Sequence, residues 1–308
     1  MWKYIVKRIL TLIPVLIGVT LIVYLIMSLA PGDPAVTILG DQATPEAIAQ
    51  LREEMHLNDP VLVQYGRYII NILQGDMGTS YKTKKAVSEE ISSRFPNTLK
   101  LSVVAVILSV ALAIPLGIVA AVKQNTFIDG FSMIIALLGV SIPIFWFGLL
   151  LMLLFSLKLG WLPSSGNTYW YSIILPAVAL GLHGIATIAR VTRSSMLEVI
   201  RQDYIRTARS KGVPYGTVIK KHALRNALIP TVTVIGLEIG ALLGGSVLTE
   251  TVFAWPGIGR YMITSISGRD IPSVLGCIII FTLCFSITNL LVDLVYGFID
   301  PRIKSQYA

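Results

Sequence analysis

Charge is what this sequence has least of. Asp, Glu, Lys and Arg make up 14% of its 308 residues, against about 25% in ordinary soluble domains. Two soluble domains, the organisation suggested by length alone, could not be covered with hydrated groups from so small a supply. Disorder is excluded from the opposite side, because disordered chains are poor in apolar residues and 54% of these residues are apolar. No Gly-x-x-x-x-Gly-Lys-Ser/Thr loop is present, so ATP cannot be held in that way, and no Gly-x-Gly-x-x-Gly follows a strand pattern. The three histidines, His56, His183 and His222, fall in three different compartments of the topology derived below. Neither they nor the methionines stand at metal-ligand spacing, so no metal is expected. The two cysteines, Cys277 and Cys284, share one helical face about 10 Å apart along the axis, too far for a disulfide. No internal repeat is visible, which weakens a secondary-transporter reading, and no low-complexity tract occurs.

The class that remains is an all-α, polytopic membrane protein. A spanning helix needs about 20 mostly apolar residues, and six stretches supply them: Ile9–Leu29, Thr98–Val122, Phe131–Leu157, Ile173–Val191, Leu228–Val252 and Ser273–Gly297. The fourth is interrupted by Pro176, Gly181, His183 and Gly184. The first competes with a cleaved signal peptide, having Lys3, Lys7 and Arg8 at its start and a small-x-small exit at Ser28–Ala30. Its apolar run exceeds a signal core and Pro31 follows the cut, so an uncleaved anchor is expected.

Orientation follows from Lys and Arg near the short loops. With the N-terminus inside, the cytoplasmic set is Lys3, Lys7, Arg8, Lys123, nine residues between Arg190 and Arg225, Arg302 and Lys304. The short external loops hold only Lys158, Arg260 and Arg269. Six spans return the C-terminus to the cytoplasm. The net charge of +8 is therefore positive-inside bias, not a nucleic-acid footprint. The expected organisation is one transmembrane domain over 1–308, with a long extracytoplasmic loop over 30–97 and a cytoplasmic loop over 192–227.

The extracytoplasmic loop reads as short helices. Thr44-Pro45 is an N-cap and first-turn proline pair ahead of Ile48, Leu51 and Met55. Asp59-Pro60 repeats the device ahead of Leu62, Tyr65, Ile69 and Ile72. Val87, Ile91 and Phe95 form a third stripe that Pro96 is expected to stop. Such stripes either pack against the bundle or offer a platform to an external partner.

Among intramembrane carboxylates, Glu238 lies near mid-membrane in the fifth span, and Asp293 lies one turn from the end of the sixth. A mid-depth acid costs about 2.5–3.5 kcal/mol on insertion scales. Glu238 is therefore either a conduit or interface residue or a neutral or paired structural carboxyl. The external segment Phe253–Arg260, with Trp255, Pro256, Gly257 and Arg260, suits a constriction at a conduit mouth. The alternative is a hairpin with Trp255 as interface anchor.

The cytoplasmic interval Arg190–Ala227 is the most informative. Tyr204–Lys211 contains no helix breaker and runs into Gly212, where a left-handed cap is expected, with Pro214 following. The spacing predicts a helix, a tight turn and a second helix from Pro214 to Ala227. Thr207 and Ala208 are small enough for close approach by a partner. Nine basic residues against Glu198 and Asp203 would complement an acidic cleft, although a solvated positive-inside loop would carry the same charge.

This loop resembles the coupling loop of binding-protein-dependent ABC importer permeases, Glu-Ala-Ala-x-x-x-Gly, then nine residues, then Ile-x-Leu-Pro. Arg206, Thr207 and Ala208 fall on the triplet, and His222, Leu224 and Arg225 on the later positions; Ala208, Gly212 and Leu224 match. The departures are those of the dipeptide/oligopeptide/nickel branch, which is similar to Asp203–Gly212 and His222–Ala227 here. Also similar to that branch are Pro31-Gly32-Asp33-Pro34, Asn97-Thr98-Leu99, Thr192–Met196, Glu250–Arg260, Asn289–Asp293 and Asp300-Pro301-Arg302.

The resemblance covers almost the whole chain. It implies a six-span type I permease of the bacterial cytoplasmic (inner) membrane, set in lipid and moving di- or oligopeptides. It implies a second, similar permease, two cytoplasmic ATPases that carry the ATP and Mg, and an extracytoplasmic binding protein. Arg206, Thr207, Ala208, Lys211, Gly212, Pro214 and Tyr215 would be the ATPase-coupling residues, and the chain itself would bind no cofactor and catalyse no reaction. Nickel, glutathione and sugar-oligomer import remain open. So do an ion-coupled secondary transporter, which would need more buried ionisable groups, and an intramembrane enzyme, which would need a clustered catalytic set that is not found.

Overall fold

The computed structural model describes residues 2–29, 32–40 and 43–299. Ala30, Pro31, Asp300-Pro301-Arg302 and Lys304, invoked above, lie outside the described residues. In chain order the helices are α1 (Trp2–Leu29), α2 (Pro34–Leu39), α3 (Pro45–Glu54), α4 (Val61–Leu73), α5 (Val87–Val122), α6 (Phe127–Ser141) and α7 (Ile144–Leu151). There follow α8 (Ile174–Ile200), α9 (Asp203–Ser210), the single turn α10 (Tyr215–Thr217), α11 (Leu224–Val252), α12 (Ile258–Ser267) and α13 (Ile271–Ile299). Among the described residues no strand occurs, only an isolated bridge between Thr79 and Ala86. Five helical stretches are long and apolar enough to cross a membrane, and the bent pair Phe127–Ser141 and Ile144–Lys158 makes a sixth if counted as one.

Proline explains most departures from the expected boundaries. The third apolar stretch is not one rod but two helices meeting at 107°. Pro143 lacks an N–H and drives Ile142 out of the helical region, to φ −81° and ψ 126°. Beyond α7 the chain widens into a π-helical stretch, Met152–Lys158. Pro96, by contrast, does not end the Val87 stripe. α5 runs through it for 36 residues, since proline inside long membrane helices is tolerated and the apolar run beyond it continues the helix. The Asn97 amide donates to the Pro256 carbonyl at 3.0 Å, and the Thr98 hydroxyl accepts from the Ile258 N–H at 2.8 Å. Pro176 sits in the first turn of α8, where a missing N–H costs nothing.

The chain divides into two compact units. One comprises Met1–Thr98 with Pro256–Ser286, the other Leu99–Trp255 with Ile287–Ala308. In the first, parts of the second and third loop stripes are buried. Val87 and Ile91 join Ile258, Tyr261 and Cys277, while Tyr24, Tyr65, Ile271 and Leu275 form a second cluster that Ile69 borders. α4 is pinned to α1 through Tyr65, whose hydroxyl bonds Thr20 at 2.9 Å and the Ile17 carbonyl at 2.8 Å. Thr44 caps α3 as expected, accepting from the Ala47 N–H at 3.3 Å. Asp59 does not cap α4, which starts behind Pro60 without a side-chain cap; its carboxylate pairs with Arg67 at 2.8 Å instead. α2, capped by Asp33 through the Ala35 N–H at 3.0 Å, and α12 were not anticipated.

In the second unit α8 is the central rod, flanked by α6, α7 and α11. The glycines that seemed to interrupt it are its contact points. A Cβ at Gly181 would lie 2.8 Å from Ser109 Oγ and 3.1 Å from the Ala105 carbonyl. A Cβ at Gly117 of α5 would lie 2.6 Å from both the Ala189 carbonyl and Thr192 Cβ. Ser109 donates to the Gly181 carbonyl at 2.8 Å across this contact. Lipid is as apolar as leucine, so helices in a bilayer associate through such close approach and hydrogen bonding rather than through exclusion of water. Gly117→Val should therefore destabilise the α5–α8 contact by about 1–3 kcal/mol, as overpacking does elsewhere. Lower thermal stability of the detergent-solubilised protein, unmatched by Gly18→Val, where a Cβ would meet nothing within 4 Å, checks it.

Candidate functional site: a capped helix at the end of the central rod

α8 ends at Ile200, and two residues later α9 begins at Asp203. The short helix is amphipathic. Ile205 is fully buried, in a cluster with Ala121, Met196, Val218, Ile219, Ala223 and Ala227. That cluster gathers residues of α5, α8 and α11 and the π-helical stretch Val218–Ala223 around one side chain of α9. The opposite face is bare. Arg206, Thr207, Lys211, Gly212, Pro214 and Tyr215 are exposed, and Ala208 is half-buried. Six of the seven residues singled out from the sequence are thus exposed, Arg206 and Lys211 among them basic.

The turn after α9 is hydrogen-bonded at both ends. Gly212 takes φ +77°, a left-handed conformation that glycine adopts without Cβ strain. Its N–H donates to the Arg209 carbonyl at 3.0 Å, and the Val213 N–H to the Ala208 carbonyl at 3.4 Å. These are the two bonds of a Schellman motif, which satisfy carbonyls a helix end leaves open. Arg209 stacks over the Tyr215 ring at 5.1 Å, and Asn226 donates to the Tyr204 hydroxyl at 2.7 Å. One boundary differs from expectation: the helix starting after Pro214 does not end at Ala227. It passes through Val218–Ala223 directly into α11, since nothing in Val218–Leu228 breaks a helix.

The residues proposed for a gate divide between the two units. Trp255 is a core side chain, packed with Leu101, Ala105, Ile173, Ala177, Leu180 and Leu242, so it is neither an interface anchor nor exposed at a mouth. Ala254, at φ +48°, closes α11 with the same paired bonds, from its own N–H to Thr251 at 3.2 Å and from Trp255 to Glu250 at 2.8 Å. Pro256, Gly257 and Arg260 belong to the other unit. There Gly257 precedes α12 in extended backbone, and Arg260 is exposed. Glu238 is buried on α11, its Oε2 3.6 Å from where a Gly184 Cβ would stand.

Two polar constellations escaped the sequence reading. Asp129 on α6 holds Arg193 on α8 through two bonds of 2.6 and 2.7 Å; the signal was a lone carboxylate two residues before an apolar run. In the first unit, buried Asp270 accepts from Ser80 at 2.5 Å, from Ser273 at 2.8 Å and from the Tyr81 N–H at 3.1 Å. Tyr261 joins through Ser273 at 2.7 Å. Burial pushes the Tyr261 phenol up, the Ser273 and Ser80 hydrogen bonds oppose this, and the Asp270 carboxylate reinforces it. Among the described residues, no three His, Cys, Asp or Glu side chains are grouped to hold a metal.

Ile205 is the single peg that seats α9. Ile205→Ala should cost about 2–5 kcal/mol of local stability. Hydrogen exchange should then quicken over residues 203–213 while the spanning helices stay protected.

Comparison with known proteins agrees with this architecture. Residues 113–305 match the family described as binding-protein-dependent transport system inner membrane component, and residues 1–102 match its N-terminal companion. The chain is 48% identical to the dipeptide transport system permease protein DppB of Alkalihalophilus pseudofirmus, over 99% of this chain and 100% of that one. It is 46% identical to the glutathione transport system permease protein GsiC of Salmonella paratyphi A, over 99% of each. Among solved structures, an inward-facing MetNI methionine ABC transporter matches with a TM-score of 0.57 at 18% identity, covering 68% of this chain and 95% of that one. An amino acid ABC transporter matches with a TM-score of 0.56 at 17% identity, over 68% and 94%. With its apolar helices, the chain is a multi-pass protein of the cytoplasmic membrane, and it belongs to the inner-membrane permease family of binding-protein-dependent ABC importers.

Proposed function

We propose that this permease moves di- or oligopeptides into the cytoplasm, and that α9 with its glycine turn is the handle through which separate ATPases work it. The observation that carries the reading is the two-faced build of α9: one side locked by Ile205 into a core shared by three long helices, the other bare and basic. A segment so held cannot shift without moving the ends of α5, α8 and α11 with it. The exposed face offers Arg206, Lys211 and the Arg209–Tyr215 stack to an acidic cleft.

Energy enters from outside the chain, which has no phosphate-cradling loop of its own. Two cytoplasmic ATPases would hold ATP and Mg. Their closure on nucleotide would displace α9 and shift the spans between inward- and outward-facing packings. The requirement is that the two packings differ in affinity for the closed ATPase pair and for a loaded extracytoplasmic binding protein. A second, similar permease would complete the conduit. Positive-inside bias supports a cytoplasmic location for both termini and α9. The 48% identity to a dipeptide permease supports peptides as cargo, and the 46% identity to a glutathione permease supports glutathione, itself a tripeptide, as the second reading.

The turn supplies the test. At Gly212 a substituent would meet nothing of this chain within 4 Å, so within the permease its effect comes from backbone conformation, and comparing two substituents of similar size separates that from contact with a partner. Gly212→Val should leave membrane insertion intact yet lower ATP-driven uptake, since a β-branched residue resists the left-handed region. Gly212→Asn, which tolerates it, should retain most uptake. Equal uptake by the two variants would remove the handle from the mechanism. For cargo, uptake of labelled dialanine by the complete importer should be competed by other dipeptides. Competition by glutathione alone would select the second reading.

A further inference from the structure

We infer that the Asp129–Arg193 pair is a positioning clamp that makes α6 move with α8 and α9; this rests on the reading of α9 as the ATPase handle. Ile205 gathers the ends of α5, α8 and α11 around α9, but no α6 residue belongs to that cluster. α6 starts the bent α6–α7 pair and packs on α8 through small residues, Gly139 meeting Ala186, while its long apolar side chains Phe131, Ile134, Leu137 and Leu138 are exposed. At the first turn of α6 the tie to α8 is charged.

Asp129 lies in the first turn of α6 and is almost fully buried. Its Oδ1 accepts from Arg193 Nε at 2.6 Å and its Oδ2 from Arg193 Nη2 at 2.7 Å. Oδ2 also accepts the Asn125 N–H at 3.0 Å, and Asn125 stands at φ +61° in the turn between α5 and α6. Arg193 sits seven residues before the end of α8. A weaker contact runs parallel, from Arg201 at the end of α8 to Gln124 in the same turn, at 3.4 Å.

A two-toothed guanidinium–carboxylate contact fixes orientation as well as distance. It therefore differs from the apolar contacts of α6, along which helices can slide. The clamp joins the α5–α6 turn, the start of α6 and the last turns of α8, so a displacement of α9 reaches the bent pair as well as the straight spans. Without it, only packing would hold the start of α6 to α8.

The experiment uses the whole importer, with its second permease, ATPases and binding protein, in proteoliposomes. Spin labels are placed at Ser210→Cys on α9 and Ile134→Cys on α6, in a background where Cys277 and Cys284 are replaced. Their separation is compared between nucleotide-free and vanadate-trapped states. With the clamp intact the separation should not change, because both labels ride one body. In Asp129→Asn it should change, and dialanine taken up per ATP hydrolysed should fall about tenfold, within the usual range of coupling effects. Asp129→Glu, which keeps the charge, should restore both readouts. If Asp129→Asn does not assemble, Arg193→Lys, which keeps charge but grips through one nitrogen, makes the same comparison. An unchanged separation in assembled Asp129→Asn, or failure of both substitutions to assemble, overturns the clamp. A crosslink from Ser210→Cys to an ATPase subunit is read alongside: its absence in otherwise unaltered protein overturns the handle itself, while its presence confines any failure to the clamp.

Discussion

The seating of Ile205 in a core built from the ends of three long helices is the contact on which the rest of this molecule turns. A short helix with an overwhelmingly polar surface has no intrinsic reason to stay folded, since isolated helices of this length are marginal in water. Here one buried side chain, a glycine-ended turn and a tyrosine–asparagine hydrogen bond hold α9 against the bundle. The same contacts that fold it also join it mechanically to α5, α8 and α11. Folding and attachment of α9 are thus one feature.

α8 runs on from this contact as the central rod of its unit, held by close packing. In a bilayer the hydrophobic effect does not press helices together, so close fit has to supply the contact energy. Gly181 and Gly184 bring α8 against Ser109 of α5, and Gly117 returns the favour one level down the rod at Ala189 and Thr192. Gly139 of α6 meets the rod at Ala186, 3.0 Å from where its Cβ would stand. Each glycine removes the side chain that would hold two backbones apart. The cost is lower helix propensity, about 1 kcal/mol relative to alanine in water, and the hydrogen bond from Ser109 to the Gly181 carbonyl helps offset it.

Much of the candidate site was legible beforehand. Gly212 and Pro214 announced the turn because the left-handed cap and the missing N–H are properties of those residues alone. Arg206 and Thr207 on α9, and Lys211 and Tyr215 beyond its end, are exposed, as their polar character suggested. Trp255 was misread because an aromatic in a Pro- and Gly-rich external segment resembles an interface anchor. Its burial depends on Leu101, Ile173 and Leu242, distant residues that no local pattern connects to it. Pro96 was misread because a proline after a short amphipathic stripe resembles a stop, whereas the apolar run beyond it continues the same helix.

By itself the chain settled its class, its number of apolar stretches and the existence of a capped polar elbow, since these follow from hydropathy, helix length and the stereochemistry of glycine and proline. Only the tertiary structure decided that Pro143 bends one stretch through 107°, that the glycines of α8 are contacts rather than breaks, and that Asp129 finds Arg193 across the sequence. Those outcomes depend on which surfaces meet. A residue's own conformational preferences are written in its neighbours along the chain, but the partner of a buried charge or the occupant of a glycine's hollow is chosen by packing in three dimensions.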